Sequence, residues 1–391
     1  MIHIDILAAS AAIARAQPRV GPLLESLVSS GRLPPSLLFA GPEGSGKELM
    51  AIRLAAVLNC EASCAPASAL EGGPGLEAGA GRAGRAALGG SREGTCPSCG
   101  KVRHLEHPDL HLIYPVPYGE WERDLRDIIA SRREDFFARG EFGHRARSIG
   151  IDLVRRIIEA LSKFPYEGRR SVVILFEAHL ATTEAQNALL KLLEEPPSSA
   201  QIILVTEFPD RLLPTILSRC YEVRFETLAP EAVADFLATF YSVEKEEAGR
   251  HAALAQGNLR RGIQFLEERF LTLWKDAAGA VRLVVDGKPK ELVGEAAALA
   301  DAYTREEVAE LLEEATGIFS LIIRNREGQA TGQERETLER ALGAGRLPAA
   351  AARDLPGDIR KVSNAMESLR RNADVELTLS QLLLDLAGEW Y

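Results

Sequence analysis

Residues 36–48, with the sequence SLLFAGPEGSGKE, decide the fold of this chain. A short apolar run leads into GPEGSGK, and a helical pattern starts directly after it. A strand, a glycine-rich loop, a lysine and a helix are the parts of a phosphate cradle. Glycines at Gly41, Gly44 and Gly46 let backbone N–H groups face a phosphate, and Lys47 reaches the β- and γ-phosphates. The sequence therefore predicts a P-loop, which is the backbone structure of a nucleotide site.

The residue after the lysine departs from the P-loop pattern. A Ser or Thr there supplies a hydroxyl to Mg²⁺, but this chain has Glu48, whose carboxylate would repel a polyphosphate. In P-loop ATPases a second strand ends in an acid that holds the metal. The matching run here is SVVILFEA at 171–178, in which Phe176 occupies the acid's position and only Glu177 remains. We therefore expect no ATP hydrolysis, and the sequence leaves open whether ATP still binds.

Composition limits the class of protein. With 391 residues, 46% hydrophobic and 26% charged, the chain is expected to be a soluble globular protein of more than one domain. Its formal net charge of −10 argues against strong DNA binding by this chain alone. No apolar run reaches the ~18 residues of a membrane span, and the start lacks a secretory signal pattern, so we expect a cytoplasmic protein.

The order of patterns predicts an α/β domain followed by helices. Short apolar runs alternate with helical patterns in the first part of the chain, as is typical of a parallel sheet covered on both faces. We predict a P-loop α/β domain at 1–228, a small helical domain at 229–272 and a larger helical domain at 273–391. Two insertions interrupt the first domain. Residues 65–95 are rich in Ala and Gly and are predicted to be disordered, and residues 117–150 are charged and have no evident role.

Four cysteines suggest a metal site. Cys60, Cys64, Cys96 and Cys99 form two close pairs, and two pairs of thiolates complete a tetrahedral Zn²⁺ site. The loop between the pairs can vary in length at little cost in free energy. Because no export signal is visible, bound metal or free thiols are favoured over disulfides. We predict a structural zinc. Four unrelated cysteines, or His107 replacing one of them as ligand, are the alternatives.

Several longer stretches resemble the bacterial DNA polymerase III clamp-loader ATPase family. They are HPDLHLI (107–113), FPYEGRRSVVIL (164–175), EAQNALLKLLEEPP (184–197) and ILVTEFPDRLLPTILSRC (203–220). The resemblance covers roughly residues 20–272 and extends weakly to 372–386. It implies an AAA+ type P-loop module, a helical lid domain and a C-terminal helical collar domain for oligomerisation.

The resemblance also implies roles for three residues. Arg219, in the SRC sequence that follows TIL and precedes a strand, would be an arginine finger that acts on the ATP of a neighbouring subunit; the alternative is a surface ion pair. Thr206 would be a sensor of the γ-phosphate, or else a strand-end hydroxyl bonded to the backbone. Arg260 would be a second sensor at the start of a lid helix, or else a surface arginine.

Within this family, Glu48 and Phe176 point to a subunit without hydrolysis of its own. The resemblance implies a hetero-pentamer with the gamma/tau and delta subunits that loads the sliding clamp on primed DNA during DNA replication. In it this chain would stiffen the ring as a non-catalytic subunit of the DNA polymerase III holoenzyme. Two alternatives stay open: an active ATPase motor subunit like gamma/tau, and a zinc-bearing scaffold with an inherited P-loop fold.

Overall fold

The computed structural model describes residues 4–61, 96–119, 121–137, 146–343, 345–347, 350 and 352–388. The predicted disorder at 65–95 and the position of Cys64 lie outside these residues. The chain forms two compact units, Met1–Ser242 with Gly257–Arg260, and Val243–Gln256 with Arg261–Tyr391. The division into three domains stays a prediction.

A parallel sheet forms the centre of the first unit. In chain order the strands of this unit are β1 (Ser36–Ala40), β2 (Leu110–Ile113), β3 (Val116–Pro117), β4 (Arg147–Ser148), β5 (Ser171–Leu175), β6 (Ala200–Thr206) and β7 (Tyr221–Arg224). Five of them pair in the order β2-β5-β6-β1-β7, every pair parallel, while β3 and β4 form a separate antiparallel pair. Every residue of β1, β5 and β6 is buried, as expected where helices cover both faces of a sheet.

Helices surround this sheet. They are α1 (Ile6–Ala16), α2 (Val20–Ser29), α3 (Lys47–Leu58), α4 (Pro97–Arg103), α5 (Trp121–Glu134), α6 (Ile151–Leu161), α7 (Thr183–Glu194), α8 (Pro214–Leu217) and α9 (Pro230–Tyr241). The sequence explains the bounds of α7: the Thr182 hydroxyl accepts from Ala185 N at 3.2 Å as an N-cap, and two prolines after Glu195 prevent the helix from continuing.

The sheet places the residues that follow β1, β5 and β6 together at the carboxyl ends of these strands. In a parallel sheet the carboxyl ends of the strands lie together, and ligands bind outside them. Gly41 follows β1, Phe176 follows β5 and Glu207 follows β6. The register pairs Ala40 with Thr206, so the P-loop leaves the sheet beside the end of β6.

The second unit consists of helices, with no strand among its described residues. The helices are α10 (Lys245–Ala255), α11 (Leu259–Gln264), whose first two residues belong to the first unit, α12 (Glu268–Asp286), α13 (Pro289–Ala302), α14 (Arg305–Arg326), α15 (Gly332–Leu342), α16 (Leu355–Arg370) and α17 (Val375–Ala387). Buried side chains such as Trp274, Phe319 and Leu383 form one apolar core. Capping boxes start α14 and α15, with Thr304 paired to Glu307 and Thr331 to Glu334.

The predicted fold class, a P-loop α/β module followed by helices, is confirmed. None of the described helices combines the length and the apolar character that a membrane-spanning helix needs.

Candidate functional site

The P-loop has the backbone conformation that its glycines predict. Gly44 and Gly46 have φ values of 67° and 84°, in the left-handed region that favours glycine. A Cβ on Gly44 would lie 1.9 Å from Asn258 Oδ1, and a Cβ on Gly46 would lie 2.3 Å from Ile13 Cγ2. Gly46 is also the N-cap of α3, so the loop leads directly into the helix N-terminus. The phosphate cradle is therefore present as a backbone structure.

The ammonium group of Lys47, at the end of this loop, contacts two groups of the protein itself. Its Nζ donates to Pro42 O at 2.9 Å and lies 3.7 Å from Glu207 Oε1. The side chain is 5% exposed, and burial lowers the pKa of Lys47 despite the neighbouring carboxylates. The ammonium is thus already held by a carbonyl and an acid at the end of β6.

Glu48 lies in the first turn of α3, where the helix dipole favours an acid. Its carboxylate lies 3.4 Å from Arg260 Nη2 and 3.3 Å from Arg132 Nη1. Burial raises the pKa of the Glu48 carboxyl, but Arg260 and Arg132 outweigh burial and hold the pKa below its ordinary value. An ionised carboxylate between two arginines therefore occupies the position at which a P-loop ATPase places its metal-binding hydroxyl.

Arg260 faces the P-loop, and its role as a second sensor stays a prediction. It lies in α11, directly after Leu259, whose N–H donates to Gly44 O at 3.0 Å. Its guanidinium lies near the Glu48 carboxylate and 3.8 Å from Glu43 Oε1. Arg260, which was expected to face a bound nucleotide, therefore contacts the carboxylates of Glu43 and Glu48.

The end of β5 is part of the apolar core. Phe176 is 1% exposed and stacks on Tyr114, so it is a core residue. Glu177 has φ 47° and ψ 46°, an uncommon conformation for a residue other than glycine. Its carboxylate lies 3.5 Å from Arg147 Nη2, and burial raises the pKa of Glu177 although Arg147 opposes the shift.

The charges around the P-loop balance. The carboxylates are Glu43, Glu48, Glu177 and Glu207, and the cations are Lys47, Arg132, Arg147 and Arg260. Each carboxylate lies within 4 Å of a cation, so the described residues offer a polyphosphate no surplus of positive charge. The pocket beside Gly44, Gly46 and Glu48 has a volume of about 20 Å³, room for about one water molecule.

Thr206 is buried at the end of β6 and is engaged by protein groups. Its hydroxyl accepts from Phe208 N at 3.1 Å and lies 3.1 Å from His179 Nδ1. Burial, with the charges of Arg211 and Lys47, lowers the pKa of His179 to about 4, so this imidazole is neutral at pH 7. These contacts match the alternative of a strand-end hydroxyl bonded to the backbone; the sensor role stays a prediction.

Arg219 lies on the surface just after α8. Its Nη2 donates to Glu194 Oε1 at 2.7 Å and its Nη1 to Thr215 O at 2.9 Å. The side chain is 34% exposed, and within the described part of the chain none of its partners belongs to the P-loop. The structure therefore separates Arg219 from the residues that meet around Lys47.

Three of the four predicted zinc ligands lie close together in the structure. The Sγ atoms of Cys60, Cys96 and Cys99 all lie within 4.8 Å of one another, and those of Cys60 and Cys96 are 3.9 Å apart. Zn–S bonds of about 2.3 Å in a tetrahedron place sulfurs about 3.8 Å apart, so the cluster has zinc-compatible dimensions. His107 is outside this group, and its Nδ1 accepts from Asp109 N.

Sequence reasoning missed Asp109, Arg132 and Arg147. The Asp109 carboxylate accepts the backbone N–H groups of residues 166–168 at 2.5 to 2.9 Å and holds the loop before β5. The HPDL motif gave a local signal for a turn at this point. The two arginines lie in the insertion at 117–150, and no local pattern distinguishes them from its other charged residues.

The chain is similar in sequence to several subunits of DNA polymerase III. The sequence model of the family described as "DNA polymerase III, delta subunit" matches residues 85–229. DNA polymerase III subunit delta' of Bacillus subtilis is 28% identical over 63% of this chain and 57% of that protein. DNA polymerase III subunit gamma/tau of Mycoplasma genitalium is 23% identical over 64% of this chain and 34% of that protein. The chain thus spans a third to somewhat over half of the length of these two relatives.

A shorter match has a higher sequence identity, and a solved structure that aligns over most of the chain has a lower one. DNA polymerase III subunit delta' of Escherichia coli is 45% identical over 21% of this chain and 24% of that protein. A gamma subunit-related protein of Thermotoga maritima aligns over 93% of this chain and 98% of that chain, with 17% identity and a TM-score of 0.39.

Proposed function

Because the chain is a relative of the clamp-loader subunits of DNA polymerase III, we propose that it is a clamp-loader subunit of the delta' type without ATP hydrolysis of its own. It acts in a hetero-oligomer with gamma/tau and delta subunits that places a sliding clamp on primed DNA. The chain stiffens that ring and contributes a residue to a neighbour's ATP site.

The contact of Glu48 with Arg260 and Arg132 carries the proposal of missing hydrolysis. A P-loop ATPase needs Mg²⁺ beside the loop and an acid at the end of the second strand. Here the first position holds a carboxylate bound by two arginines, and the second holds buried Phe176. The gamma/tau relatives favour the rival function, an active motor subunit, but both substitutions oppose it.

Arg219 is the residue that we assign to the neighbour's ATP. A guanidinium is always charged and can bind a γ-phosphate with two parallel hydrogen bonds. Its partner in the isolated chain, Glu194, is half exposed, and surface ion pairs of this kind contribute only about 0–1 kcal/mol. Arg219 can therefore exchange that partner for a phosphate at low cost.

The cysteine cluster is assigned to structural zinc. Cys60, Cys96 and Cys99 are buried in the structure. The sequence predicts that Cys64, which lies outside the described residues, is the fourth thiolate of a closed tetrahedral site. A closed site has no open position for water, so the metal would stabilise the fold without taking part in hydrolysis.

A reconstitution experiment tests the function. This chain is mixed with gamma/tau and delta subunits, assembly is measured by size-exclusion chromatography, and ATPase is measured with and without the chain. We expect no activity from the isolated chain and a raised rate in the assembly. ATPase of the isolated chain that Lys47→Ala abolishes would establish the motor function instead. Assembly without any change in rate would favour the scaffold.

A further inference from the structure

The insertion whose role the sequence left open contacts Glu48, the altered residue after the P-loop lysine, and Glu177, the acid that remains after β5. Its described residues, 117–119, 121–137 and 146–150, are called the arginine insert below. Arg132 of α5 lies 3.3 Å from Glu48, and Arg147 of β4 lies 3.5 Å from Glu177. The arginine insert thus supplies one cation, Arg132, to Glu48 and a second cation, Arg147, to Glu177.

Arg132 is held rigidly for this contact. Its side chain is 6% exposed, and its Nη1 also donates to the carbonyl of Phe136. The guanidinium carbon lies 5.2 Å from the ring centroid of Tyr114 and 5.7 Å from that of Phe136, within the range of cation–π attraction. A buried arginine needs a counter-charge, and Glu48 provides it.

The arginine insert also occupies space beside the loop. Phe136 and Phe137 line the pocket of about 20 Å³ next to Gly44 and Glu48. Phe137 in turn makes an edge contact with Phe236 of α9, with ring centroids 6.2 Å apart. The ring of Phe137 therefore lines the pocket and also packs against α9, within the same unit.

We propose that the arginine insert is an internal occupant of the nucleotide site. Arg132 and Arg147 bind the two carboxylates beside the loop, and Phe136 and Phe137 fill the adjoining space, so the P-loop keeps its conformation without nucleotide. This inference rests on the proposed function, because it explains how a subunit without turnover keeps an ordered phosphate loop. The ligand class that it excludes is a nucleoside triphosphate.

The proposal makes Glu48 and the arginine insert interdependent. With Thr in place of Glu48, Arg132 and Arg260 lose the Glu48 carboxylate, and the net charge around the loop becomes more positive. An anionic nucleotide then gains attraction, and it must displace the arginine insert to bind. With Leu in place of Arg132, the arginine insert loses its charged contact, while Glu48 still repels phosphate.

Titration of the full chain with a fluorescent ATP analogue, followed by amide hydrogen exchange of α5, tests this. Glu48→Thr should bind the analogue at least tenfold more tightly than the unmodified chain, and binding should speed exchange in α5 at least tenfold. Arg132→Leu should speed α5 exchange without nucleotide and leave binding weak. Arg123→Gln, at an exposed position of the same helix, is the matched control and should change neither quantity.

Two results would overturn the proposal. One is nucleotide binding by Glu48→Thr with α5 exchange unchanged, which would mean that the arginine insert does not occupy the site. The other is unchanged α5 exchange in Arg132→Leu. If Glu48→Thr fails to fold, Glu48→Gln takes its place with the same expected direction. Neither result concerns ATPase of the assembly, so failure of this proposal is distinguishable from failure of the proposed function.

Discussion

The ring of Phe176 stacks on the ring of Tyr114, with centroids 4.4 Å apart and ring planes 7° from parallel. Both residues are buried, at 1% and 3% exposure, so the position that a P-loop ATPase gives to an acid is here part of the apolar core. Burial raises the pKa of the Tyr114 hydroxyl above its ordinary value, which keeps it neutral at any pH of interest. The substitution at 176 therefore has a structural function in this chain.

Phe176→Asp should destabilise the chain and should not create ATPase activity. It removes a stacked ring and buries a carboxylate, so we expect a loss of about 4 kcal/mol or more in the free energy of unfolding. Urea unfolding followed by circular dichroism measures this. Phe176→Leu keeps the site apolar and should cost about 1–2 kcal/mol. An Asp variant as stable as the unmodified chain would show that the pocket admits water and charge.

Asp109→Asn should weaken the loop before β5 in a pH-dependent way. Burial raises the pKa of Asp109, but three backbone N–H groups bind the ionised form and hold its pKa below the ordinary value. A depressed pKa contributes stability above the unfolded pKa of about 4, and this contribution is lost as the pH falls through the folded pKa. At pH 7 we expect Asn to cost about 1.5–3 kcal/mol.

Unfolding of both proteins between pH 7 and pH 3 checks this prediction. The difference between Asp109→Asn and the unmodified chain should shrink below about pH 4, because the unmodified carboxyl is then protonated as well. Asp210→Asn, at an exposed position, is the control and should show no such trend. A difference that stays constant with pH would mean that Asn costs stability through packing alone.

The cysteine cluster should bind about one Zn²⁺ per chain. Cys99→Ser should lose the metal, since removing one thiolate opens the closed site, and should lower stability because bound metal contributes to folding. Metal analysis of purified protein and titration of free thiols measure both. A variant that lacks residues 67–93 should keep the metal, because that stretch lies between the cysteine pairs.

Cys220→Ser is the matched control for zinc. Cys220 lies outside the cluster, and burial raises the pKa of its thiol to about 12, so it is a poor metal ligand at pH 7. Absence of zinc from the pure protein, with the thiols of the cluster freely reactive, would contradict the assignment.

Local patterns predicted much of this fold. The P-loop, the buried strands β5 and β6 and the capped helix α7 each have their own sequence signal within a few residues. The apolar run at 111–116 has the local pattern of one strand, but β2 ends at Ile113 and Val116 pairs with Ser148 instead. Periodicity could not show this change of partner, because the partner lies about thirty residues away.

The candidate site was predictable in its parts and not in its contacts. Glu48 and Arg260 were identified separately from motif positions, while their pairing depends on how Leu259 and Arg260 lie against the P-loop. The contribution of Arg132 could not be predicted, since a charged helix such as α5 has many arginines of equal local character. Which one becomes buried is decided by tertiary packing.

Arg219→Ala should leave this chain intact and impair its assembly's ATPase. Loss of the pair with Glu194 should cost at most about 1 kcal/mol. Loss of an arginine finger lowers turnover by about 10³ or more in single-site GTPases, and the fall should be smaller in a ring of several sites, because only one interface loses its arginine. Clamp- and DNA-stimulated ATPase of the reconstituted complex measures the effect.

Three further variants separate a finger from a surface charge. Arg219→Lys should restore little, because an ammonium lacks the planar fork that binds a γ-phosphate. Glu194→Ala should keep full activity, since it frees Arg219 without removing it. Arg224→Ala, at an arginine with an 81% exposed side chain and a similar ion pair, should be silent. If Arg219→Ala assembles and supports the unmodified rate, the guanidinium does not reach a neighbour's phosphate, and its pairing with Glu194 is its whole role.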